Sequence, residues 1–374
     1  MEMKDEDSSS SSKSIIRNKG VKHLCETGIA NVPNRYIFPA PQRNNEEDQV
    51  VSNLSGLNLK LPIIDFAELQ GPNRLQVLDS LAKACENYGF FQVINHGISN
   101  DTIGNMIDVS RRFFQQPMEE RSKFMTTDVR APVRYGTSFN QSTDSIFCWR
   151  DFLKLVCHSM EDSLPHWPTS PSDFRDSICE YAKENKFLFL KIMEAITESL
   201  GIVLKTTRND NDDIINDFVT KEFENGSHVM VINCYPSCPQ PKLTLGMPPH
   251  SDYGFLTVLL QDEVEGLQIQ HEGQWITVEP IPNSFVVNVG DHLEIFSNGR
   301  YKSVLHRAIV NSKKSRTSVA SLHSMPFINM VRPSPELINE KNPRRYLDTD
   351  FATFLDFLSS SELKEKNFLD SRKC

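Results

Sequence analysis

The segments HVMVINCYPSCPQP (228–241), HSDYGFLTVLLQD (250–262) and SVLHRAIVNSKKSRTSVASLHSMP (303–326) determine the fold that we predict for this chain. They consist of short runs rich in Val, Ile, Leu and Thr, which Gly, Pro, Asn and Asp separate. The same pattern continues in GLQIQ (266–270), QWITVEP (274–280) and SFVVNVGDHLEIFSN (284–298). Such a series of short strands predicts a closed or two-layered antiparallel architecture, either a barrel or a jelly roll.

The N-terminal half mixes helical and strand patterns. LPIIDF (61–66) predicts a strand, and the apolar spacing of 74–88 predicts an amphipathic helix. A second strand at 90–94 and a helix capped by Asp101 follow. Between 171 and 200 the apolar residues recur mostly every three or four positions, which predicts one long helix.

The composition of the chain limits the kinds of molecule that we expect it to bind. The chain has 374 residues, 39% of them hydrophobic, and its 40 Lys and Arg against 49 Asp and Glu give a net charge of -9. This acidic balance argues against nucleic-acid binding, so we expect a small-molecule substrate. No window reaches the length of an apolar membrane span, and the acidic N-terminus resembles no targeting segment. We therefore expect a monomer without membrane contact, in the cytoplasm and by diffusion also in the nucleus.

The 8 cysteines follow no regular spacing. We interpret them as reduced thiols, because secreted disulfide frameworks are regular and dense. Cys234 and Cys238 are close in sequence, but no second Cys or His pair lies near them at the spacing of a zinc site.

His250 and Asp252 form an HxD motif at the start of a β-type run. In a strand, residues i and i+2 face the same side, so both side chains would enter one cavity while Ser251 points away. His306 interrupts a later apolar strand. Two histidines and one carboxylate form the facial triad of non-haem Fe(II) oxygenases, which leaves coordination positions open. The alternative is that His306 is a hydrogen-bonded core histidine and Asp252 a turn residue.

Arg316 and Ser318 begin the next β-type run, after a predicted hairpin connection at 311–315. A buried arginine there could bind a carboxylate through two hydrogen bonds, with the hydroxyl at i+2 assisting. A surface arginine in a basic hairpin is the alternative.

These motifs together resemble the plant 2-oxoglutarate and Fe(II)-dependent dioxygenases, which have an isopenicillin N synthase-like fold. NCYPSCPQP (233–241) resembles the NYYPxCPxP signature of that group, with Cys234 in place of its first Tyr. The resemblance extends over most of the chain and includes YGFFQVINHG (88–97) and RYGTSFN (134–140).

The resemblance implies an enzyme, a 2-oxoglutarate-dependent dioxygenase that uses Fe(II), 2-oxoglutarate and O2, with ascorbate as reductant. It implies that His250, Asp252 and His306 are the catalytic residues that bind iron. It further implies that the residues of the co-substrate pocket are Arg316 and Ser318, at the distal carboxylate of 2-oxoglutarate, together with Asn233 and Tyr235. His96 and His292 match structural positions of the family.

The predicted fold class is α+β: a double-stranded β-helix, or jelly roll, with an N-terminal mixed α/β domain and a long supporting helix. We divide the chain into an N-terminal arm, the N-terminal domain, a connecting helical region, the Fe(II)/2-oxoglutarate jelly-roll domain and a C-terminal helical segment, at residues 1–60, 61–170, 171–226, 227–328 and 329–374. The arm, with its Pro, Ser and charged residues, suits an extended chain, and its first part is predicted to be disordered.

The substrate is predicted only by class. The candidate pocket residues are apolar, aromatic or small, and this suits a hydrophobic metabolite. They are Tyr135, Phe139, Val231, Tyr253, Leu322 and Ser324. NVPNRYIFPAPQR (31–43) and FCWRDFLKL (147–155) resemble a plant branch that includes enzymes of gibberellin metabolism, so a gibberellin-type diterpenoid acid is our first hypothesis.

Three alternatives remain open. The chain could hydroxylate a flavonoid or a phenolic such as flavanone or salicylate. It could be an oxidase of the same fold that does not consume 2-oxoglutarate. It could also be a catalytically silent binding protein, although every predicted ligand position carries the required residue type.

Overall fold

The computed structural model describes residues 19–43, 60–138, 144–202, 206–208, 214–360 and 368–374. The α-helices are α1 Gly20–Glu26, α2 Arg74–Asn87, α3 Asn100–Gln115, α4 Met118–Ser122, α5 Met160–Ser163, α6 Phe174–Ser199, α7 Asp217–Phe223, α8 Asp291–Phe296 and α9 Phe351–Ser360. Within these described ranges no helix has the length and apolar character needed to cross a bilayer.

Two sheets form the centre of the molecule. The strands are β1 Ile63–Asp65, β2 Phe90–Ile94, β3 Val133–Thr137, β4 Asp151–Val156, β5 Thr206–Arg208, β6 Ile214–Asn216, β7 His228–Tyr235, β8 Met247–His250, β9 Leu256–Gln261, β10 Leu267–His271, β11 Gln274–Thr277, β12 Phe285–Val289, β13 His306–Ala308 and β14 Arg316–His323. The major sheet has the order β1-β2-β12-β9-β14-β7-β4-β3, and the minor sheet has the order β11-β10-β13-β8. The predicted α+β class with a two-layered β core is confirmed.

Helix α6 supports the back of the major sheet. Its apolar residues recur at helical spacing and are buried, including Ile178, Tyr181, Leu188, Ile192 and Ile196. This face packs against α2, α3, β9 and β14, so the long helix predicted from the sequence is confirmed. The cap predicted for α3 is wrong by two residues, because Ser99 rather than Asp101 accepts the hydrogen bond from the Thr102 amide.

Part of the described N-terminal arm is helical where we expected an extended chain. Residues 20–26 form α1, whose first amides donate to the buried Asp151 carboxylate, from Val21 at 2.7 Å and Lys22 at 3.0 Å. Gly20 has φ +85°, and a Cβ there would lie 2.7 Å from both Asp151 carboxylate oxygens. A carboxylate that is distant in sequence therefore caps this short helix, and no local pattern indicates it. The predicted disorder of the first residues lies outside the described ranges.

Two further expectations are corrected in the β core. The run 284–298 was included among the β-type runs, but β12 ends at Val289 and α8 follows, with all of its residues buried. Residues 311–315 do form a turn, in which Asn311 Oδ1 accepts from the Lys313 and Lys314 amides at 2.9 and 2.8 Å. The strands that it joins are not a hairpin, because β13 lies in the minor sheet and β14 in the major sheet.

Candidate active site

His250, Asp252 and His306 converge between the two sheets. His250 ends β8, and His306 begins β13 as its direct register partner. The Nε2 atoms of both histidines lie 3.7 Å from Asp252 Oδ1. One potential ligand atom from each residue lies within 4.8 Å of the other two. Among the described residues, this is the group of His, Cys, Asp and Glu side chains whose spacing could hold a metal ion.

The local hydrogen bonds orient all three donors toward a common point. His250 Nδ1 lies 2.8 Å from the Pro248 carbonyl oxygen, and His306 Nδ1 lies 3.3 Å from that of Val304. If each Nδ1–H donates to its carbonyl, each Nε2 keeps a lone pair that is available to a metal ion, 3.7 Å from Asp252 Oδ1. This is the arrangement usual for metal-binding histidines.

The second oxygen of Asp252 is held from behind. Thr257 Oγ1 donates to Asp252 Oδ2 at 2.6 Å, and Asn288 Nδ2 donates to it at 2.8 Å. These bonds fix the carboxylate so that Oδ1 faces the imidazoles. The donor set therefore fits Fe(II): two imidazoles and one oriented carboxylate on one side, with the cavity on the other.

The charge state of the cluster also suits a cation. Burial and the neighbouring His306 hold the pKa of His250 well below its usual value, so its ring is neutral. Burial acts to raise the pKa of Asp252, but the two imidazoles and the hydrogen bonds to its oxygens outweigh burial, and the net direction is downward. A neutral imidazole beside an ionised carboxylate is the state in which both can bind a metal.

The side chains of His250 and Asp252 meet because a loop follows β8, and not because side chains alternate along a strand. Strand β8 ends at His250, and Asp252 lies beyond it. Ser251 also lines the cavity, so the prediction that it points away is not confirmed, and its hydroxyl donates to Asp291 Oδ2 at 3.2 Å. The Asp291 amide donates to the Asp252 carbonyl oxygen at 2.8 Å, which ties the loop to the start of α8. The expected convergence is present, but our reason for it was wrong.

Arg316 and Ser318 form a polar end of the same cavity. They are direct cross-strand partners of Tyr235 and Asn233, respectively. Arg316 is 3% exposed and donates to the Val264 carbonyl oxygen at 3.2 Å and to Gln261 Oε1 at 2.9 Å. No carboxylate of the described residues forms an ion pair with it. A buried guanidinium without a counter-charge favours an anionic ligand.

The cavity has a volume of ≈ 820 Å³, and its wall includes the three candidate metal ligands. It also includes Arg316, Ser318, Asn233 and Tyr235, which we call the Arg316 end. Four of the predicted substrate residues also line it: Val231, Tyr253, Leu322 and Ser324. Ser324 Oγ lies within hydrogen-bond distance of His292 Nδ1, 2.8 Å away. The Tyr253 ring packs against those of His292 and Phe354, with centroids 4.0 and 4.1 Å away.

Tyr135 does not line this cavity, so that prediction is corrected. Side chains alternate along β3, and Tyr135 faces the core behind the sheet, where its hydroxyl donates to Asp151 Oδ2 at 2.9 Å. Its neighbour Arg134 faces the cavity instead. Phe139, the other predicted residue of that stretch, lies outside the described residues.

Sequence reasoning missed two parts of the cavity wall. One comprises Arg134, Phe152 and Lys154 on β3 and β4. The alternation in DFLKLV could have shown that Phe152 and Lys154 share a face, but Arg134 joins them only through the pairing of β3 with β4, which no local pattern indicates. The other part is α9, which contributes Phe351 and Phe354 from a segment that we predicted only as helical.

His96 and His292 lie apart from the three candidate ligands. His96 Nε2 lies 3.0 Å from the Asn283 carbonyl oxygen, and its Nδ1 accepts from the Ile98 amide, so both nitrogens stabilise the turn after β2. Burial lowers the pKa of His292 to about 3, and the ring therefore stays neutral in the wall behind Ser324.

Comparison with known proteins places the chain in one family. Residues 226–324 match the model of the 2OG-Fe(II) oxygenase superfamily, and residues 61–173 match the N-terminal model of non-haem dioxygenases in morphine synthesis. Protein DMR6-LIKE OXYGENASE 2 of Arabidopsis thaliana is 40% identical over 92% of this chain and 95% of its own length. Flavanone 3-dioxygenase 2 of Oryza sativa subsp. japonica is 36% identical, over 91% and 93%.

A solved structure has the same architecture. JOX2 in complex with 2OG, Fe and JA superposes with a TM-score of 0.81 at 31% identity, and the match covers 95% of this chain and 97% of that chain. The jelly-roll fold that we expected is therefore confirmed.

Proposed function

This chain belongs to the 2OG-Fe(II) oxygenase superfamily, and we propose that its cavity binds and oxidises a hydrophobic plant metabolite. It is a 2-oxoglutarate-dependent dioxygenase with Fe(II) and 2-oxoglutarate as cofactors, and it acts on plant metabolites. The observation that carries the proposal is the single cavity that joins the His250–Asp252–His306 cluster, the Arg316 end and an apolar wall.

We assign the roles of the site residues as follows. His250, Asp252 and His306 hold iron, and Thr257 and Asn288 keep the Asp252 carboxylate in place. When bound, the iron supplies activation of O2 coupled to the conversion of 2-oxoglutarate to succinate and CO2. The protein contributes orientation and the exclusion of water.

At the other end, Arg316 and Ser318 bind the distal carboxylate of 2-oxoglutarate, and Asn233 and Tyr235 complete its pocket. Arg150 Nη1 donates to Asn233 Oδ1 at 3.1 Å and so holds that amide against the cavity. The guanidinium carbon of Arg316 lies 5.2 Å from the centre of the Tyr235 ring, which supports its position.

Two substrate classes are proposed for comparison. A gibberellin-type diterpenoid acid is suggested by the sequence resemblance alone, since none of the relatives described above is named for it. A flavonoid or another phenolic has the support of a relative named as a flavanone dioxygenase. The apolar residues Val231, Leu322 and Phe354 fit the hydrophobic skeleton of either class. We also propose that the protein acts as a monomer in the cytoplasm.

The test is a metabolite screen with Fe(II), ascorbate, O2 and 2-oxoglutarate. Succinate measures turnover of the co-substrate, and an oxidised product identifies the substrate. We expect both to require Fe(II) and 2-oxoglutarate, and we expect Asp252→Ala to lose both, because two imidazoles alone do not hold a facial site. Product formation without 2-oxoglutarate would instead indicate an oxidase of the same fold.

A further inference from the structure

A second positively charged region lies on the cavity face of the major sheet. Arg134 on β3 pairs with Lys154 on β4, and Lys154 pairs in turn with Val231 on β7. All three line the cavity. Arg316 is the partner of Tyr235, four residues along β7 from Val231. Four residues of strand span roughly 13 Å, so this region is separate from the Arg316 end.

Lys154 carries a charge that the protein only partly satisfies. It is half-buried, and its ammonium group donates to the Val129 carbonyl oxygen at 2.8 Å. Within the described ranges no carboxylate forms an ion pair with it. The acid whose charge acts on it is Asp128, which is exposed and accepts from the Arg130 amide at 2.8 Å. An ammonium group has three donors, so donors remain for a ligand.

Arg134 adds a second positive charge beside Lys154. It is 5% exposed, donates from Nε to the Thr126 carbonyl oxygen at 3.1 Å and lies over the Phe152 ring at 5.3 Å. These contacts hold the guanidinium at the cavity wall. Burial, together with the charge of Arg134, lowers the pKa of Lys154 to about 8. Asp144 and Asp128 raise the pKa of Arg134 and Arg150 lowers it, so acidic side chains already offset part of the charge of Arg134. Lys154 and Arg134 still repel each other, and an anion bound at Lys154 would reduce this repulsion.

We propose that Lys154, with Arg134 beside it, binds a carboxylate of the organic substrate. This inference rests on the proposed function and narrows it, because it favours an acidic metabolite over a neutral flavonoid. The apolar residues that share the cavity would hold the rest of the molecule, while the acid group fixes which carbon faces the metal cluster. Lys154 is thus a specificity-determining residue that is distinct from the carboxylate site at Arg316.

The experiment compares two probes with the same ring system, 2-naphthoate and the neutral 2-naphthamide. Binding to the full chain is measured by anaerobic calorimetry with Fe(II) at two saturating concentrations of 2-oxoglutarate. We expect the wild type to bind naphthoate at least about tenfold more tightly, since a hydrogen bond to a charged group is worth that much or more. Lys154→Met should abolish the preference, and Lys154→Arg should largely restore it.

Lys183→Met is the matched control, because it removes one lysine charge from an exposed position of α6. We expect it to keep the wild-type preference. Equal affinity for the two probes in the wild type, or no binding of either, overturns the proposal. So does a preference that survives in Lys154→Met, or one that disappears when 2-oxoglutarate is raised, because the probe then occupies the Arg316 end.

The proposed function is tested separately on the same preparation by 2-oxoglutarate-dependent succinate release. Absence of that activity overturns the oxygenase assignment, whereas the probe preference is a binding property measured without turnover. The two failures are therefore distinguishable.

Discussion

The guanidinium of Arg316 is held in one orientation, and a lysine at this position could not provide the same pair of hydrogen bonds. Its guanidinium uses one edge for the Val264 carbonyl oxygen and Gln261, and directs the rest toward Ser318 and the cavity. A planar fork fixed in this way can donate two parallel hydrogen bonds to one carboxylate, which a lysine ammonium cannot reproduce.

We therefore expect Arg316→Lys to retain iron but to bind 2-oxoglutarate much more weakly. Loss of one partner of a desolvated charge pair costs about 2–5 kcal/mol, or roughly 30-fold to several thousand-fold in affinity. Ser318→Ala should have a milder effect, about 0.5–1.5 kcal/mol, because it removes a neutral hydroxyl. Anaerobic titration with 2-oxoglutarate measures both. An unchanged constant for Arg316→Lys would place the co-substrate elsewhere.

The pH dependence of acid binding tests Lys154 without changing the protein. Because its pKa is about 8, the ammonium form that binds an anion is present below that value and is lost as pH rises through it. Arg134 lowers this pKa and Asp128 raises it, and both keep their charge over the range considered.

Affinity for 2-naphthoate should therefore fall by up to about tenfold between pH 7 and pH 9, while affinity for 2-naphthamide stays constant. In Lys154→Arg the decline should disappear, because a guanidinium stays protonated throughout. A decline of equal size in that variant would assign the titration to another group.

At the scale of the elements, local pattern predicted the helices and strands better than their pairing. The apolar spacing of 174–199 and the strands at 90–94 and 228–235 correspond to α6, β2 and β7. Pairing depends on partners distant in sequence. The strand β13 joins the minor sheet although only a turn separates it from β14, and no short-range signal distinguishes that crossover from a hairpin.

The same limit applies to the candidate site. The sequence alone identified four residues of the site, because few other roles explain their combination. They are His250, Asp252, His306 and Arg316. The cationic wall at Lys154 could not, because it requires the β3–β4 and β4–β7 registers. Tyr135 was misassigned by one residue, and in a strand one residue exchanges the two faces.

The contact between α1 and Asp151 should contribute measurably to the stability of the fold. Asp151 accepts three hydrogen bonds in a fully buried position, from the Val21 and Lys22 amides and the Tyr135 hydroxyl. Asp151→Asn replaces one acceptor oxygen by a donor, which leaves at least one of these groups unsatisfied. We expect a loss of about 1–3 kcal/mol in the free energy of unfolding, measured with urea.

The same variant should also expose the arm around α1 to limited proteolysis earlier than in the wild type. Asp79→Asn is the control, since Asp79 forms an exposed ion pair with Lys83 and should change stability by less than about 1 kcal/mol. Equal effects of the two substitutions would contradict the capping role of Asp151.

At the scale of the whole molecule, the site joins the two sheets of the core. His250 and His306 belong to the minor sheet, whereas Arg316 and Asn233 belong to the major sheet. A metal ion and an organic dianion that contact each other as well as their own residues would connect the two layers. Ligand binding should therefore increase the stability of the whole molecule against unfolding.

We expect Mn(II), used as a redox-inert substitute for Fe(II), and 2-oxoglutarate to raise the thermal midpoint together by more than the sum of their separate effects. A ligand that binds only the folded state at 100 times its Kd stabilises by about 2.7 kcal/mol, and mutual contact strengthens each affinity. Asp252→Ala should lose the rise in the thermal midpoint caused by Mn(II) and the part of the joint rise that exceeds the sum. Arg316→Lys should mainly lose the rise caused by 2-oxoglutarate. Simple additivity in the wild type would show that the ligands bind independently, which is incompatible with one shared site between the sheets.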